Sequence, residues 1–150
     1  MILCFLTLHS CKYEDGPKIS LRTKAERLSN KWKVNKAYIS KDEQDVTHEW
    51  ENAILEFKKN GSYIITKYSP DKTMKSEETG SWEFHNKKKQ IFTKGTEQQI
   101  EVSTGNLIDE SNYDMYYVIK RLKEKELHIW FTYNEFTDSP IHEYLELIPF

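Results

Sequence analysis

This chain of 150 residues is poor in cysteine. Its two cysteines are Cys4 and Cys11, and Cys4 lies in an apolar stretch that an exported protein would lose. A mature chain would then keep one thiol, which excludes a fold held by disulfides. Lysine and arginine number 22 against 24 acidic residues, and the two signs are well mixed. This balance argues against a basic face for nucleic acid.

Sequence motifs that carry enzyme chemistry are also missing. The five histidines never stand in metal-ligand spacing with each other or with cysteine. There is no glycine-rich phosphate loop and no Gly-x-Ser-x-Gly elbow. The pairs Asp42-Glu43 and Glu77-Glu78, and His48 with Glu49 and Glu51, are interpreted as solvated turns or loops. A hydrolase would need converging polar groups in a pocket, and the sequence shows no sign of them. We therefore expect no enzyme, no cofactor and no metal site.

The chain begins with an apolar run over residues 1–8, which closes at Leu8-His9-Ser10-Cys11 and is followed by polar residues. An apolar segment that ends in a small residue is typical of a secretory signal, and this one is too short to span a bilayer. No lysine or arginine precedes it, so the signal over residues 1–10 is predicted to be incomplete. A short apolar strand or a buried helical turn is the alternative.

The ending Leu8-His9-Ser10-Cys11 resembles the lipobox of bacterial lipoproteins. That resemblance implies a lipid on Cys11, a tether over residues 11–20, and a membrane as partner through the anchor. Lys12 with Glu14-Asp15 resembles the short signals that place lipoproteins of Bacteroidota-type bacteria on the outer face of their outer membrane. An ordinary solvated linker is the alternative. The expected location is the bacterial outer membrane, on its periplasmic or cell-surface side.

After the tether, a short helix is predicted over residues 21–28, because Thr23 and Glu26 match a capping box. The apolar period then changes to two, which indicates strands. Strands are predicted over residues 32–39, 54–58, 62–68, 79–85, 90–94, 98–103, 115–122, 126–133 and 141–148. Asn60-Gly61 predicts a tight hairpin turn with two positive φ angles. Residues 40–49, 69–78 and 104–114 are predicted to be loops.

These short antiparallel strands predict an all-β domain over residues 21–150. A long meander leaves bare strand edges unless it closes, so an up-and-down barrel of about eight or nine strands is favoured over a two-sheet sandwich. The alternation directs Gly80, Trp82 and Phe84 inward. It directs His85 and His128 outward, together with Trp130, and an outward aromatic side chain can mark a contact surface.

Several stretches, in this order, resemble the lipocalin-like domains of bacterial lipoproteins. They are Asn30-Lys31-Trp32, residues 55–63, Thr79-Gly80-Ser81-Trp82-Glu83-Phe84, Lys125-Glu126-Leu127 and residues 144–149. The resemblance implies that Trp32 closes the barrel floor, with Asn30 standing where the family has glycine and Arg121 as the candidate cation on that tryptophan. It also implies a small apolar or amphipathic ligand inside the barrel.

The function expected from the sequence is therefore a membrane-anchored, non-catalytic lipocalin-like lipoprotein that binds a small hydrophobic ligand. The alternative is a structural lipoprotein that docks onto an envelope protein complex and has no small ligand. The alternative predicts a filled core and an exposed aromatic patch near Trp130.

Overall fold

The computed structural model describes residues 21–39, 44–133 and 141–150. The predicted signal, Cys11 and the tether over residues 11–20 lie outside these residues, as do Asp42 and Glu43. Across the described ranges, no helix has both the length and the apolar character that a membrane crossing requires.

Nine antiparallel strands form one sheet that closes on itself. The elements are α1 (Lys24–Leu28), β1 (Lys31–Ile39), β2 (Gln44–Asp45), β3 (Ile54–Phe57), β4 (Ser62–Tyr68), β5 (Met74–His85), β6 (Gln90–Glu101), β7 (Leu107–Leu122), β8 (Leu127–Tyr133) and β9 (Ile141–Pro149). Each strand from β3 to β8 pairs with the next one along the chain, and β1 pairs with both β3 and β9. Eight strands therefore make a closed barrel to which the short β2 adds, so the predicted barrel with a short helix before it is confirmed.

The helix begins where the capping box predicts. The Thr23 hydroxyl accepts a hydrogen bond from the backbone N–H of Glu26 at 3.2 Å, and the Glu26 carboxylate accepts one from the Thr23 N–H at 2.7 Å. Together they satisfy N–H groups that the first turn of a helix leaves without partners. The helix covers Lys24–Leu28, which is shorter than the predicted range.

The hairpin between β3 and β4 is present, but its turn differs from the predicted one. Residues 58–61 connect the strands, and the Lys58 N–H donates to the Ser62 carbonyl at 2.9 Å. Gly61 has a φ of +83°, whereas Asn60 is not among the residues with positive φ. The prediction of a tight turn with two positive φ angles was therefore wrong. A longer turn suffices because only its last residue needs the conformation that glycine adopts freely.

The predicted boundaries were wrong in several polar segments, and the predicted loop over residues 40–49 contains β2 and most of the 3-10 helix Thr47–Trp50. β5 begins at Met74, within another predicted loop, and β7 begins at Leu107, within a third. β6 is one strand over Gln90–Glu101, where two were predicted. Backbone pairing from Met74 opposite Glu101 onward holds these residues in the sheet. Because many side chains here are polar on both faces, alternation of hydrophobicity gave no signal for a strand.

One end of the barrel is filled with apolar side chains. A β-bulge between Val34 and Lys36 shifts the register of β1, so that Trp32 and Ala37 are both fully buried. We call the end where α1 packs the helix end; there β1 begins and β9 ends. The fully buried side chains at the helix end include Leu28, Trp32, Leu122, Leu127 and Leu147.

Candidate functional site

Toward the opposite end, the inner face of the barrel becomes acidic. Glu78 on β5, Glu97 on β6 and Glu143 on β9 lie there, and we call this the acidic end. Glu78 is 6% exposed and Glu143 is 5% exposed. Carboxylates are almost never buried to this degree unless they have partners, because leaving water is costly for a charged group. Their partners therefore define the site.

The acidic end contains a cavity of about 190 Å³. Seven strands and the 3-10 helix Thr47–Trp50 contribute to its wall. The polar lining residues are Lys67, Ser76, Glu78, Glu97 and Tyr113, and the apolar and aromatic ones are Trp50, Leu55, Ile65, Tyr117, Phe131 and Leu145. A mostly apolar wall with a few converging polar groups is the usual character of a small-molecule site.

Glu78 and Glu97 stand directly opposite each other across β5 and β6. The Tyr63 hydroxyl donates a hydrogen bond to Oε1 of Glu78, and the Ser76 hydroxyl donates to Oε1 of Glu97 at 2.6 Å. Like charges at directly opposed positions of a strand pair are destabilising. The pair is therefore costly for the fold, and the two hydroxyl donors offset part of that cost.

The environment changes the protonation of Glu78. Burial raises the pKa of its carboxyl group from 4.5 to about 7, and the charge of Glu97 adds to the rise, while the Tyr63 hydrogen bond opposes it. Burial also raises the pKa of Tyr63 and of Tyr113. Both phenols therefore stay protonated as hydrogen-bond donors, and Glu78 exchanges its proton near neutral pH.

Gly95 makes room for the Tyr63 side chain. Gly80 and Gly95 face each other across β5 and β6. A Cβ atom on Gly95 would lie 2.1 Å from the Thr79 carbonyl oxygen and 2.8 Å from the Tyr63 hydroxyl. Because no side chain fits there, the phenol passes over Gly95 and reaches Glu78. Gly95 is thus part of the site.

An aromatic group closes another side of the cavity. The Trp50 indole N–H donates to Oε1 of Glu143, and its ring meets the Phe131 ring edge-on at 6.2 Å. Nζ of Lys67 lies 4.2 Å from the centre of the Trp50 ring. An ammonium group at that distance is attracted by the face of the indole. The wall beside Glu78 and Glu97 therefore already accommodates a cation.

These groups together can hold a small molecule by its polar and apolar parts at once. Carboxylates accept hydrogen bonds from donors and attract cations, and the aromatic rings contact apolar groups and cations alike. Glu78 can in addition bind either as a carboxylate or as a protonated acid around neutral pH. The site therefore suits an amphipathic molecule with a donor or cationic head.

The residues singled out from the sequence lie elsewhere. Trp32 is at the helix end, where its indole N–H donates to the Leu28 carbonyl at 2.9 Å; its role in closing the barrel stays a prediction. Arg121 forms an ion pair with Glu126 at 3.2 Å. Cys11 lies outside the described residues. In the described part of the chain, no group of three or more His, Cys, Asp and Glu side chains is arranged to hold a metal ion.

The sequence interpretation missed Glu78. It assigned Glu77-Glu78 to a solvated turn, whereas both residues belong to β5 and Glu78 is buried. The signal was available, because the inward series Gly80, Trp82 and Phe84 continues backward in steps of two to Glu78. Its charge hid it. The opposed carboxyl group, Glu97, is in another strand and could not be paired with it from spacing alone.

This chain matches no protein-family model, and no curated protein matches it. The all-β antiparallel barrel of eight strands is consistent with a lipocalin-like domain. Function has to be inferred from the cavity and its side chains.

Proposed function

We propose that this protein is a lipocalin-like lipoprotein that binds a small amphipathic amine in the cavity at the acidic end of its barrel. The observation that carries the proposal is the cavity itself, in which Glu78 and Glu97 oppose each other beside the face of Trp50. Glu97 and, when ionised, Glu78 are the acidic groups that line the cavity, and carboxyl groups opposed in this way attract a cationic ligand.

The proposed role is binding without catalysis. The carboxyl groups of Glu78, Glu97 and Glu143 already accept hydrogen bonds from Tyr63, Ser76 and Trp50. Groups held in this way are preorganised to receive a ligand, which lowers the entropy cost of binding. A volume of about 190 Å³ favours a short ligand, since drug-sized molecules occupy larger pockets.

The binding proposal is tested with matched six-carbon probes: hexylamine, hexanol and hexanoate. We expect hexylamine to bind most tightly and hexanoate most weakly, with tryptophan fluorescence as the readout. Glu97→Gln should weaken hexylamine binding about tenfold, because it removes a charge that faces the ligand. The control is Glu83→Gln, which neutralises an exposed glutamate on the same strand as Glu78. Equal hexylamine affinity in the two variants would refute the proposal.

The anchoring part of the proposal concerns Cys11 and the bacterial envelope. Its support is the lipobox-like sequence Leu8-His9-Ser10-Cys11 and the polar tether of residues 11–20 before the domain. Several acyl chains together hold a protein at a membrane where one alone is marginal. Mass spectrometry of membrane fractions should find the mature chain with acyl mass on Cys11, and Cys11→Ser should release the protein. A membrane-bound chain without that mass would contradict the anchor.

A second function, docking onto an envelope protein, is favoured by one observation on the outer face of the barrel. The Tyr38 and Tyr144 rings stack with centres 4.9 Å apart, and the Trp130 ring meets His142 at 4.9 Å. Tyr38 is on β1, Tyr144 and His142 are on β9, and Trp130 is on β8. Because β9 pairs with both β1 and β8, the rings form a continuous row. Aromatic side chains are enriched at protein interfaces. Trp130→Ala should abolish cross-linking to an envelope partner if this function holds, and unchanged cross-linking would remove it.

A further inference from the structure

A second cleft, chemically unlike the acidic cavity, lies at the helix end. It has a volume of about 230 Å³ and lies between α1, the β3–β4 turn and the β7–β8 turn. Its lining is almost entirely polar, and three of its side chains are cationic: Arg22, Arg27 and Lys59. The acidic cavity shares no residue with it.

The strongest feature of the cleft is the burial of Arg27. Arg27 is 8% exposed, and its Nη1 donates one hydrogen bond, at 2.9 Å, to the Arg22 carbonyl. The Nε atom is buried and has no hydrogen-bond partner within the described residues. The hydroxyl oxygen of Ser29, on the same cleft, is also buried without a partner there. Buried polar groups are nearly always satisfied, so two unsatisfied donors on one cleft call for an explanation.

The two acidic side chains of the cleft are committed to other partners. The Glu26 carboxylate accepts the Thr23 backbone N–H at 2.7 Å, as part of the capping box. The Glu124 carboxylate lies 4.0 Å from Nε of Arg22. Neither forms an ion pair with Arg27 within the described part of the chain. Of the three cations that line the cleft, Arg27 is the buried one, and neither of these carboxylates is its partner.

We propose that this cleft binds a phosphate group, with Arg27 as its anchor. A guanidinium group presents a rigid set of donors that matches phosphate oxygens, and such charge-assisted bonds are among the strongest in proteins. The Ser29 hydroxyl adds a neutral donor, and Lys59 adds a mobile charge at the rim. A bound phosphate would offset the cost of burying Arg27, which its hydrogen bond to the Arg22 carbonyl offsets only in part.

The phosphate could belong to a free phosphomonoester or to a lipid headgroup. Arg22 lies two residues after the end of the proposed tether at residue 20, so under the proposed anchoring the cleft would lie close to lipid headgroups. Dimethyl phosphate, the diester of a headgroup, and methyl phosphate, a monoester, separate the two sources. Tighter binding of the diester assigns the cleft to a headgroup, and tighter binding of the monoester assigns it to a free phosphate; both support a phosphate site.

The test follows the Nε–H signal of Arg27 by NMR while inorganic phosphate is added to the full chain. We expect the signal to shift saturably and its exchange with water to slow, because phosphate supplies the missing acceptor. Lys59→Gln should weaken binding several-fold, whereas Lys33→Gln, on an exposed position of β1, should not. Arg27→Gln should weaken it about tenfold or more, and Arg27→Lys should restore part of it.

Two results would overturn the proposal. The first is an Arg27 signal that stays unchanged at phosphate concentrations in the tens of millimolar. The second is equal phosphate affinity in Lys59→Gln and Lys33→Gln, which would indicate attraction by surface charge in general. Lys59 is exposed, so its variant keeps the test valid even if Arg27→Gln fails to fold.

Discussion

The two ends of the barrel are built from the same strands but are filled in opposite ways. At the helix end, Leu28, Trp32, Leu122 and Leu147 are fully buried members of the hydrophobic core. At the acidic end, opposed carboxyl groups and a cavity of about 190 Å³ take the place of apolar packing. The apolar packing at the helix end stabilises the fold, whereas the opposed carboxyl groups at the acidic end cost stability. Four predictions test this contrast.

The largest effect should come from Trp32→Ala at the helix end. It removes a fully buried indole and its hydrogen bond to Leu28, so the free energy of unfolding should fall by about 3–5 kcal/mol. Ile65→Ala, on the wall of the acidic cavity, should cost less, because an existing cavity leaves its contacts incomplete. Urea denaturation of both variants checks the difference. A larger loss for Ile65→Ala would reverse the contrast between the two ends.

Glu78→Gln should change the pH dependence of stability. Folding raises the pKa of this carboxyl group from 4.5 to about 7, so its contribution is fully present below pH 4.5 and is lost as pH rises to about 7. The loss is roughly 3 kcal/mol for a shift of this size. The variant should therefore be more stable than the parent at pH 8 and similar at pH 4. Denaturation curves across this range measure it, and parallel pH profiles would contradict the raised pKa.

Gly95→Ala should damage the acidic end with a smaller effect on stability. The new Cβ atom would meet the Thr79 carbonyl oxygen at 2.1 Å and the Tyr63 hydroxyl at 2.8 Å. Overpacking of this kind costs about 1–3 kcal/mol, and it should also break the bond between Tyr63 and Glu78. Lys94→Ala is the control, because Lys94 is the exposed neighbour of Gly95 on the same strand. Hexylamine affinity and the urea midpoint should fall more in Gly95→Ala than in the control. Equal losses in the two variants would show that Gly95 has no special role.

The smallest effect should come from Thr23→Ala at the helix end. It removes the hydroxyl that caps α1, which costs about 1 kcal/mol. The barrel core below the helix stays intact, so hexylamine binding at the acidic end should not change. Thermal unfolding and a hexylamine titration check the two expectations together. A loss of ligand affinity would show that the two ends are coupled.

Local signals in the sequence predicted the elements well where hydrophobicity alternates. In the strand predicted over residues 126–133, the alternating apolar residues Leu127, Ile129 and Phe131 are all buried in the barrel core. The helix start at Thr23 and the hairpin at Gly61 were also confirmed. In β7 the prediction failed over residues 107–114, most of which are exposed polar side chains. Such residues are held in the sheet by backbone pairing, which leaves no trace in hydrophobic periodicity.

The sequence by itself determined an all-β chain of antiparallel strands, because side-chain alternation and turn residues act over a few neighbours. Tertiary structure alone decided what the barrel interior contains. Glu78 became a buried acid only because closure of β1 on β9 encloses its face and because pairing sets it opposite Glu97. Burial and like-charge contact are properties of residues distant in the chain, so the pattern around a single glutamate could not reveal either of them.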